Sequence, residues 1–161
     1  MDIKFAKTSD APIIHHLMIQ AFTEYKNENP PSSALLETAQ SVSEALENGE
    51  QGLIVYMDHQ PVGMVRFKFQ SNGICFFRLS VIPEKRGLGI AKKLLFFLEA
   101  FAIEKGLTSI YCNVRLTLPQ NIMLYRSIGY TIYENDEVHR PNGTVKIVKM
   151  VKRLDEAEEK V

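Results

Sequence analysis

Apolar positions recur at helical spacing in the N-terminal third of the chain, which predicts two helices there. A short strand over residues 3–6 precedes the first helix, whose apolar stripe consists of Ile13, Ile14, Leu17, Met18, Ala21 and Phe22. After a loop over residues 27–31, Ser32 or Ser33 is placed to cap the second helix, which is expected to end near Gly49. The inward stripe of that second helix is predicted to be Leu35, Leu36, Ala39, Val42 and Leu46.

The rest of the chain mixes strand patterns with two further helices. Runs bounded by turn residues such as Asn72-Gly73 predict strands over residues 53–57, 61–69, 74–82, 109–114, 131–139 and 144–154. A central helix stops at Gly106, and a shorter helix extends from Pro119 to Gly129. This order predicts one α/β (α+β) domain over residues 1–154, with about seven strands in a mixed, mostly antiparallel sheet and helices on both faces. Residues 155–161 are expected to form an acidic tail.

Strict alternation across the central hairpin places two arginines side by side. One face collects the apolar positions Val65, Phe67, Phe69, Cys75, Phe77, Leu79 and Val81, and the other face collects Arg66, Lys68, Arg78 and Ser80. Arg66 and Arg78 can bind the carboxylate of a substrate, because guanidinium groups match carboxylates in bidentate geometry. Alternatively, the two arginines pair with acidic residues of the first two helices.

The stretch from Val81 to Lys93 joins a strand to a helix through a turn that contains Gly87 and Gly89. Such a layout binds phosphates, because glycines let the backbone approach closely and the first N–H groups of the helix point at the anion. Four cations surround the turn: Lys85, Arg86, Lys92 and Lys93. No Gly-Lys-Ser/Thr follows, and Lys92 stands where a dinucleotide fingerprint has its third glycine, so a nucleotide-binding loop is disfavoured.

The same turn resembles the acyl-CoA turn of the GCN5-related N-acetyltransferase (GNAT) superfamily. That family's pattern is Val-x-Pro followed by Arg/Gln-x-x-Gly-x-Gly/Ala, and the matching residues are Val81, Pro83, Gly87 and Gly89. Glu84 stands at the Arg/Gln position. The run from Asn121 to Tyr130 is similar to a later helix of the family, which ends Leu-Tyr-x-x-x-Gly-Phe/Tyr. The two runs follow each other in the family's order, and the resemblance covers about residues 3–154.

The resemblance implies that a GNAT-like domain transfers an acetyl group from acetyl-CoA, as cosubstrate, to an amine. Transfer is expected to be direct, within a ternary complex, and no metal is implied. Tyr125 is implied as the catalytic proton donor to the leaving thiolate, and a backbone N–H near Ser80 or Val81 polarises the thioester carbonyl. The implied cofactor-binding residues are Leu79, Ser80, Val81, Lys85, Arg86, Gly87, Leu88, Gly89, Ile90, Ala91, Asn121 and Tyr125.

The general base and the acceptor stay open at the level of sequence. A lysine-like amine, with a pKa of about 10.4, must lose a proton before it attacks. The strand over residues 74–80 carries no acid where the family often places Glu, so the candidate bases are Glu24, Glu28, His139, His15 and His16, each equally suited to a solvated surface. A small-molecule amine is the expected acceptor. A protein N-terminus, a lysine side chain and a non-catalytic acyl-CoA-binding module are the alternatives.

Composition narrows the class of protein further. The formal net charge is zero, so bulk electrostatics gives no reason to expect nucleic acid as a partner. No apolar run reaches the ~20 residues of a membrane span, and the N-terminus has no signal-peptide pattern. Cys75 and Cys112 form no disulfide framework and read as buried free thiols. These features predict a cytoplasmic enzyme, and they leave open whether it forms a homodimer.

Overall fold

A computed structural model of the protein describes residues 1–154, and the predicted tail, residues 155–161, lies outside the described residues. The described part contains seven strands: β1 (Asp2–Phe5), β2 (Gln51–Met57), β3 (Gln60–Gln70), β4 (Gly73–Val81), β5 (Ser109–Arg115), β6 (Thr131–Arg140) and β7 (Gly143–Arg153). It also contains four α-helices: α1 (Ala11–Phe22), α2 (Ala39–Glu47), α3 (Ile90–Glu104) and α4 (Pro119–Ser127).

The strands form one sheet in the order β1-β2-β3-β4-β5-β7-β6. The β4–β5 pair is parallel, whereas the β1–β2, β2–β3, β5–β7 and β6–β7 pairs are antiparallel. The predicted mixed sheet of seven strands is therefore confirmed. By internal contacts the chain divides into a first unit, residues 1–68 and 76–98, and a second unit, residues 69–75 and the described residues from 99 onward.

The core of the first unit forms between α1 and strands β2 and β3. Pro12 lies in the first turn of α1, where its missing N–H has no intrahelical partner to lose. The stripe predicted from the sequence is buried at Ile14, Leu17 and Met18, which cluster with Ile54 of β2 and Met64 of β3. The helical spacing of the apolar residues thus fixes which face of α1 packs on the sheet.

The predicted second helix is wrong in one respect, because the chain forms two separate elements in its place. A 3-10 turn, Ser33–Leu36, is capped by the Ser32 hydroxyl, which accepts the N–H of Ala34 at 3.2 Å. Helix α2 then starts afresh after Thr38, whose side chain accepts the N–H of Ser41 at 3.0 Å. Because α2 begins anew at the second cap, the residues of the 3-10 turn do not continue the apolar face of α2. Leu36, which was predicted to face inward, is therefore 79% exposed.

The second unit is organised around β7, which lies between β5 and β6. Ile110, Val148 and Met150 are buried there. Lys152 of β7 donates to Glu99 of α3 at 2.7 Å. The outermost strand, β6, is exposed along most of its length, and its Glu134 and Asp136 carboxylates lie 3.0 and 3.4 Å from Lys149 Nζ. The Asp136 carboxylate also accepts the backbone N–H of Glu137 at 2.8 Å.

Gly73 starts β4 and is not a turn residue, which corrects the hairpin expected at Asn72-Gly73. The turn lies one position earlier, where Ser71 has φ +52°. Gly73 is needed for a different reason: a Cβ there would overlap the carbonyl oxygen of Ser109 and approach Tyr111 Cε2 to 2.9 Å. Glycine therefore permits the close approach of β4 and β5 in their ladder, Gly73–Cys75 against Ser109–Tyr111.

Replacing Gly73 by Ala should lower the free energy of unfolding by about 1–3 kcal/mol, because the new methyl group meets backbone that cannot rotate away. Urea unfolding followed by circular dichroism measures the loss. Gly52→Ala is the matched control, since its nearest neighbours would lie at 3.4–3.7 Å, in ordinary contact. Equal losses in the two variants would contradict the steric explanation.

Candidate active site

The predicted phosphate-binding turn is an exposed loop between β4 and α3 in the first unit. Pro83–Lys85 forms a 3-10 turn, and Gly87 and Gly89 follow with φ of +81° and +78°. A Cβ at either glycine would meet nothing within 4 Å, so glycine is required by backbone conformation and not by lack of space. Helix α3 starts at Ile90, and the N–H groups of its first turn have no partner within the helix. The turn therefore offers an anion several backbone donors on an open surface.

The cations around this turn do not all remain available to a ligand. Lys92 and Lys93 are exposed, and Lys85 is half-buried. Arg86, by contrast, pairs with the Glu24 carboxylate at 2.7 Å and donates to the carbonyl of Ala21 at 3.2 Å. Arg86 thus ties the turn to the C-terminal end of α1, and the three lysines supply the positive charge that faces solvent.

Leu79, Ser80 and Val81, predicted to contact the cofactor, form the C-terminal end of β4. Ser80 is 1% exposed and donates from its hydroxyl to the carbonyl of Arg78 at 2.9 Å. Leu79 and Val81 are half-buried. Beyond the strand, Ile82 donates its N–H to Val62 at 3.0 Å, which holds the start of the turn against β3. Leu88, at the tip of the turn, is 53% exposed, and Ile90 is buried.

Arg66 and Arg78 are brought together, as predicted, but around the Glu37 carboxylate. Arg66 Nη1 lies 2.9 Å from both Glu37 oxygens, and Arg78 Nε lies 2.9 Å from one of them. Arg66 also donates from Nε to Glu50 at 2.7 Å, and Arg78 donates to the Ser33 hydroxyl at 3.0 Å. Both arginines pair with acidic residues, as the second alternative predicted, but Glu37 and Glu50 lie on either side of α2 and not within the first two helices.

The sequence pattern did not identify Glu37 and Glu50 as the partners of the two arginines. Two arginines on one face of a hairpin need carboxylate partners if they are buried. The residues near them in sequence do not indicate which carboxylates those are. Burial alone would lower the pKa of Arg66, whereas its hydrogen bonds and its attraction to Glu50 and then Glu37 outweigh that effect and raise the pKa above the ordinary value. Arg66, 3% exposed, therefore stays charged in a buried ion cluster.

The predicted strand faces are wrong at Phe77. Its ring lies 5.4 Å from both the Arg66 guanidinium and the Lys68 ammonium, so it shares their face. The cause is Arg78, whose φ of +57° interrupts the extended backbone of β4. One left-handed residue lets Phe77 and Arg78 point to the same side, as in a β-bulge, and the alternation assumed from sequence fails at that point.

Tyr125 and Asn121 lie on α4 in the second unit, four residues apart and hence on one helix face. Tyr125 is 7% exposed, and its ring centroid lies 6.0 Å from that of Tyr130. Burial and then the Glu99 charge raise the pKa of Tyr130, so this second tyrosine stays protonated. Burial likewise raises the pKa of Cys112, which disfavours a thiolate nucleophile at this position.

The candidate bases occupy different environments. Glu24 is engaged with Arg86, as described above, and Glu28 is half-buried. His15 donates from Nε2 to the carbonyl of Glu37 at 3.0 Å, and His16 is exposed. The side chain of His139, on β6, is 75% exposed, and its Nε2 lies 3.9 Å from Glu137 Oε2. None of these contacts selects one base over the others.

A family model described as the acetyltransferase (GNAT) family matches residues 13–130. The chain belongs to that family. The match spans both the glycine turn and the Tyr125 helix, so the family assignment covers both runs that carried the resemblance. This protein is accordingly an acetyl-CoA-dependent acetyltransferase, with acetyl-CoA as its cosubstrate.

Solved structures of GNAT proteins share the fold at low sequence identity. A ribosomal-protein-alanine N-acetyltransferase from Brucella melitensis is 19% identical with a TM-score of 0.78, covering 95% of this chain and 99% of its own. A spermidine N-acetyltransferase variant from Vibrio cholerae is 17% identical with a TM-score of 0.75, covering 97% and 96%. The paia N-acetyltransferase from Thermoplasma acidophilum, solved with coenzyme A, is 16% identical with a TM-score of 0.73, covering 95% and 99%. No curated protein matches the chain.

Residues 1–154 contain neither a metal-binding cluster nor a helix suited to crossing a membrane. Across this range, no three His, Cys, Asp or Glu side chains are grouped so that they could hold a metal ion. None of the helices formed by the same residues has the length and apolar character needed to cross a membrane.

Proposed function

We propose that this acetyltransferase acts on the primary amine of a small molecule, by direct transfer within a ternary complex, in the cytoplasm. The main observation behind this proposal is the β4–turn–α3 segment of the first unit, which is suited to binding acetyl-CoA. The segment combines uncrowded glycines, solvent-facing lysines and a helix N-terminus. The cytoplasmic assignment is supported by the sequence, in which two cysteines, Cys75 and Cys112, are too few for a disulfide framework.

The residues of this segment fit the chemistry of CoA. The phosphates of CoA are bound by backbone N–H groups and cations, and the turn over residues 85–91 offers both. The extended pantetheine arm of CoA can form hydrogen bonds with backbone groups along a strand, and we assign these groups to Leu79, Ser80 and Val81. Bound acetyl-CoA supplies an acetyl group activated as a thioester. We assign Asn121 as a further contact on α4.

Two proton movements are required of the chain's own residues. As the amine nitrogen forms a bond to the acetyl carbon and the carbon–sulfur bond breaks, the Tyr125 hydroxyl is proposed to donate a proton to the sulfur. A backbone N–H near Ser80 or Val81 is proposed to stabilise negative charge on the carbonyl oxygen. The proton released by the amine goes to water or to one of the bases named above.

The anchoring of the segment between α1 and α2 supports a small acceptor. The Ser33–Leu36 turn and Glu37 are tied to β3 and β4 by Arg66 and Arg78. A peptide acceptor needs an open groove, and a segment fixed to the sheet by ionic contacts favours a bounded site instead. The structural neighbours include enzymes named for ribosomal-protein and for spermidine acetylation, so the fold alone does not choose between the two kinds of acceptor.

Acetyl-CoA and CoA should each raise the melting temperature of the protein, whereas ATP and NAD should not. A ligand at about 100 times its Kd adds about 2.7 kcal/mol to the stability of the native state, which thermal scanning detects readily. Thiol release with panels of small amines and of short peptides then measures turnover. Faster kcat/KM for peptides would contradict the small acceptor, binding without any turnover would indicate a non-catalytic module, and no CoA shift would contradict the turn assignment.

A further inference from the structure

A largely buried ion pair joins α3 to β7 in the second unit. Lys152 Nζ lies 2.7 Å from Glu99 Oε1, and Glu99 is the more deeply buried of the two side chains. Removing two charges from water costs free energy that the attraction between them often fails to recover. Such a pair is therefore weak evidence for stability, and its place beside the end of α4 points to another role.

The Lys152 side chain lies against the C-terminal cap of α4. Gly129, with φ of +102°, follows this helix, and its N–H donates to the carbonyl of Arg126 at 3.1 Å. A Cβ at Gly129 would lie 3.1 Å from Lys152 Cε and 3.5 Å from its Nζ, so the lysine stem and ammonium cover the cap. A cation at this position also interacts favourably with the last carbonyls of a helix.

Glu99 acts on the same end of α4 through Tyr130. The Tyr130 N–H donates to the carbonyl of Tyr125 at 3.0 Å, and the centroids of the two rings lie 6.0 Å apart. Burial and then the Glu99 charge raise the pKa of Tyr130, which means that the carboxylate lies close enough to act on the Tyr130 hydroxyl. The ion pair therefore influences Tyr125 through the backbone of the cap and through the neighbouring ring.

Helix α4 depends on its C-terminal end for a fixed position. It is nine residues long, and a helix of that length is marginal without packing. Among these nine residues, all of them described by the structure, only Tyr125 is buried. Leu118 stands at the N-cap, and its apolar side chain cannot accept a hydrogen bond from the helix. The end that carries Tyr125 and meets Lys152 is thus the part of α4 that packing holds.

We propose that Glu99 and Lys152 are positioning residues for acetyl transfer. Their ion pair holds the capped end of α4, and the held helix directs the Tyr125 hydroxyl at the leaving sulfur. The inference rests on the proposed function, because it takes Tyr125 as the proton donor. The proton still moves from the Tyr125 oxygen to the sulfur, and solvent returns one to Tyr125 afterwards, so neither member of the pair changes its charge.

The main test removes both charges together, in the double variant Glu99→Gln/Lys152→Met. Neutral side chains of similar shape leave no orphaned charge, so this variant should remain folded, which a thermal scan without ligand establishes. With the amine that the wild type turns over fastest, we expect kcat to fall by about tenfold, because a displaced donor slows proton transfer. KM values for acetyl-CoA and for the amine should stay within about threefold of the wild type.

Lys149→Met is the matched control. Lys149 is also on β7, its side chain is about as exposed as that of Lys152, and it pairs with carboxylates at 3.0 and 3.4 Å. Those carboxylates, Glu134 and Asp136, belong to β6 and not to α3 or α4. This substitution should leave kcat within about twofold of the wild type. A tenfold fall here as well would overturn the positioning role, since loss of either ion pair on β7 would then be enough.

A second comparison places the double change in a Tyr125→Phe background. There kcat should fall no further, because no hydroxyl remains to be positioned, so the effects are not additive. A general loss of structure would instead lower kcat by a similar factor in both backgrounds. That additive result would overturn the positioning role even if the double variant is less active than the wild type.

The outcomes separate this inference from the function it rests on. If Tyr125→Phe leaves kcat unchanged, the proton-donor role of Tyr125 is overturned, and the positioning role with it. If Tyr125→Phe lowers kcat but the loss of the Glu99–Lys152 pair does not, only the positioning role is overturned. A rise in either KM at unchanged kcat also overturns it, since the pair would then act on binding and not on the transfer step.

Discussion

Tyr125→Phe should lower kcat for acetyl transfer by about 10²-fold while changing CoA affinity by less than about threefold. The substitution removes only the hydroxyl, so the buried ring keeps its packing near Tyr130, but no proton donor remains for the leaving sulfur. Thiolate departure then depends on water. Thiol release under saturating substrates measures kcat, and calorimetry with CoA measures affinity.

Tyr133→Phe is the matched control for that experiment. Tyr133 is a tyrosine of the same unit, 51% exposed, on β6, and the proposed mechanism gives its hydroxyl no role. Its replacement should leave kcat unchanged. If Tyr125→Phe also leaves kcat unchanged, Tyr125 contributes only packing, and the proton that completes the leaving thiol comes from elsewhere.

Arg66→Met should lower the free energy of unfolding by about 3–5 kcal/mol. Methionine roughly fills the space of the arginine stem but leaves the Glu50 carboxylate, 4% exposed, without its cation. An uncompensated buried charge is costly because the interior cannot replace the lost hydration. Urea unfolding monitored by circular dichroism measures the difference.

Two further variants test the ionic explanation. Lys68→Met removes an exposed cation two residues along β3 and should change stability by less than about 0.5 kcal/mol. Adding Glu50→Gln to Arg66→Met removes the orphaned Glu50 charge and should restore part of the loss, because Glu37 still pairs with Arg78. A double variant no more stable than Arg66→Met would mean that packing against Phe77, rather than charge, carries the effect.

The parts of the fold predicted well are those encoded locally. The glycines of the β4–α3 turn are visible in sequence because positive φ demands glycine at Gly87 and Gly89. The stripe of α1 is visible because burial of one helix face imposes its period on the sequence. Both signals come from neighbouring residues, so one sequence is enough to find them.

The parts predicted poorly depend on contacts between distant residues. Glu37 meets Arg78 across forty-one positions, and nothing local in the sequence connects them. The face of Phe77 was misassigned because alternation assumes an unbroken strand, and Arg78 breaks it. The split before α2 is a different case, since Thr38 and Ser41 form a capping pair that could have been recognised at that spacing. The general base stays unassigned for a similar reason, because the contacts that would select one candidate are made by residues distant in sequence.

The Asp136 carboxylate on β6 also affects how this protein behaves at high concentration. By accepting the Glu137 N–H, it occupies a donor on the outermost strand that an incoming strand needs for pairing. Glu134 and Asp136 add charge to the same edge strand. Charged edge strands with occupied backbone donors resist fibril formation, in which a strand of another molecule pairs with the exposed edge of the sheet. Strand addition at β6 should consequently be disfavoured even in concentrated solutions, and neutralising Asp136 would remove that protection without touching the catalytic machinery.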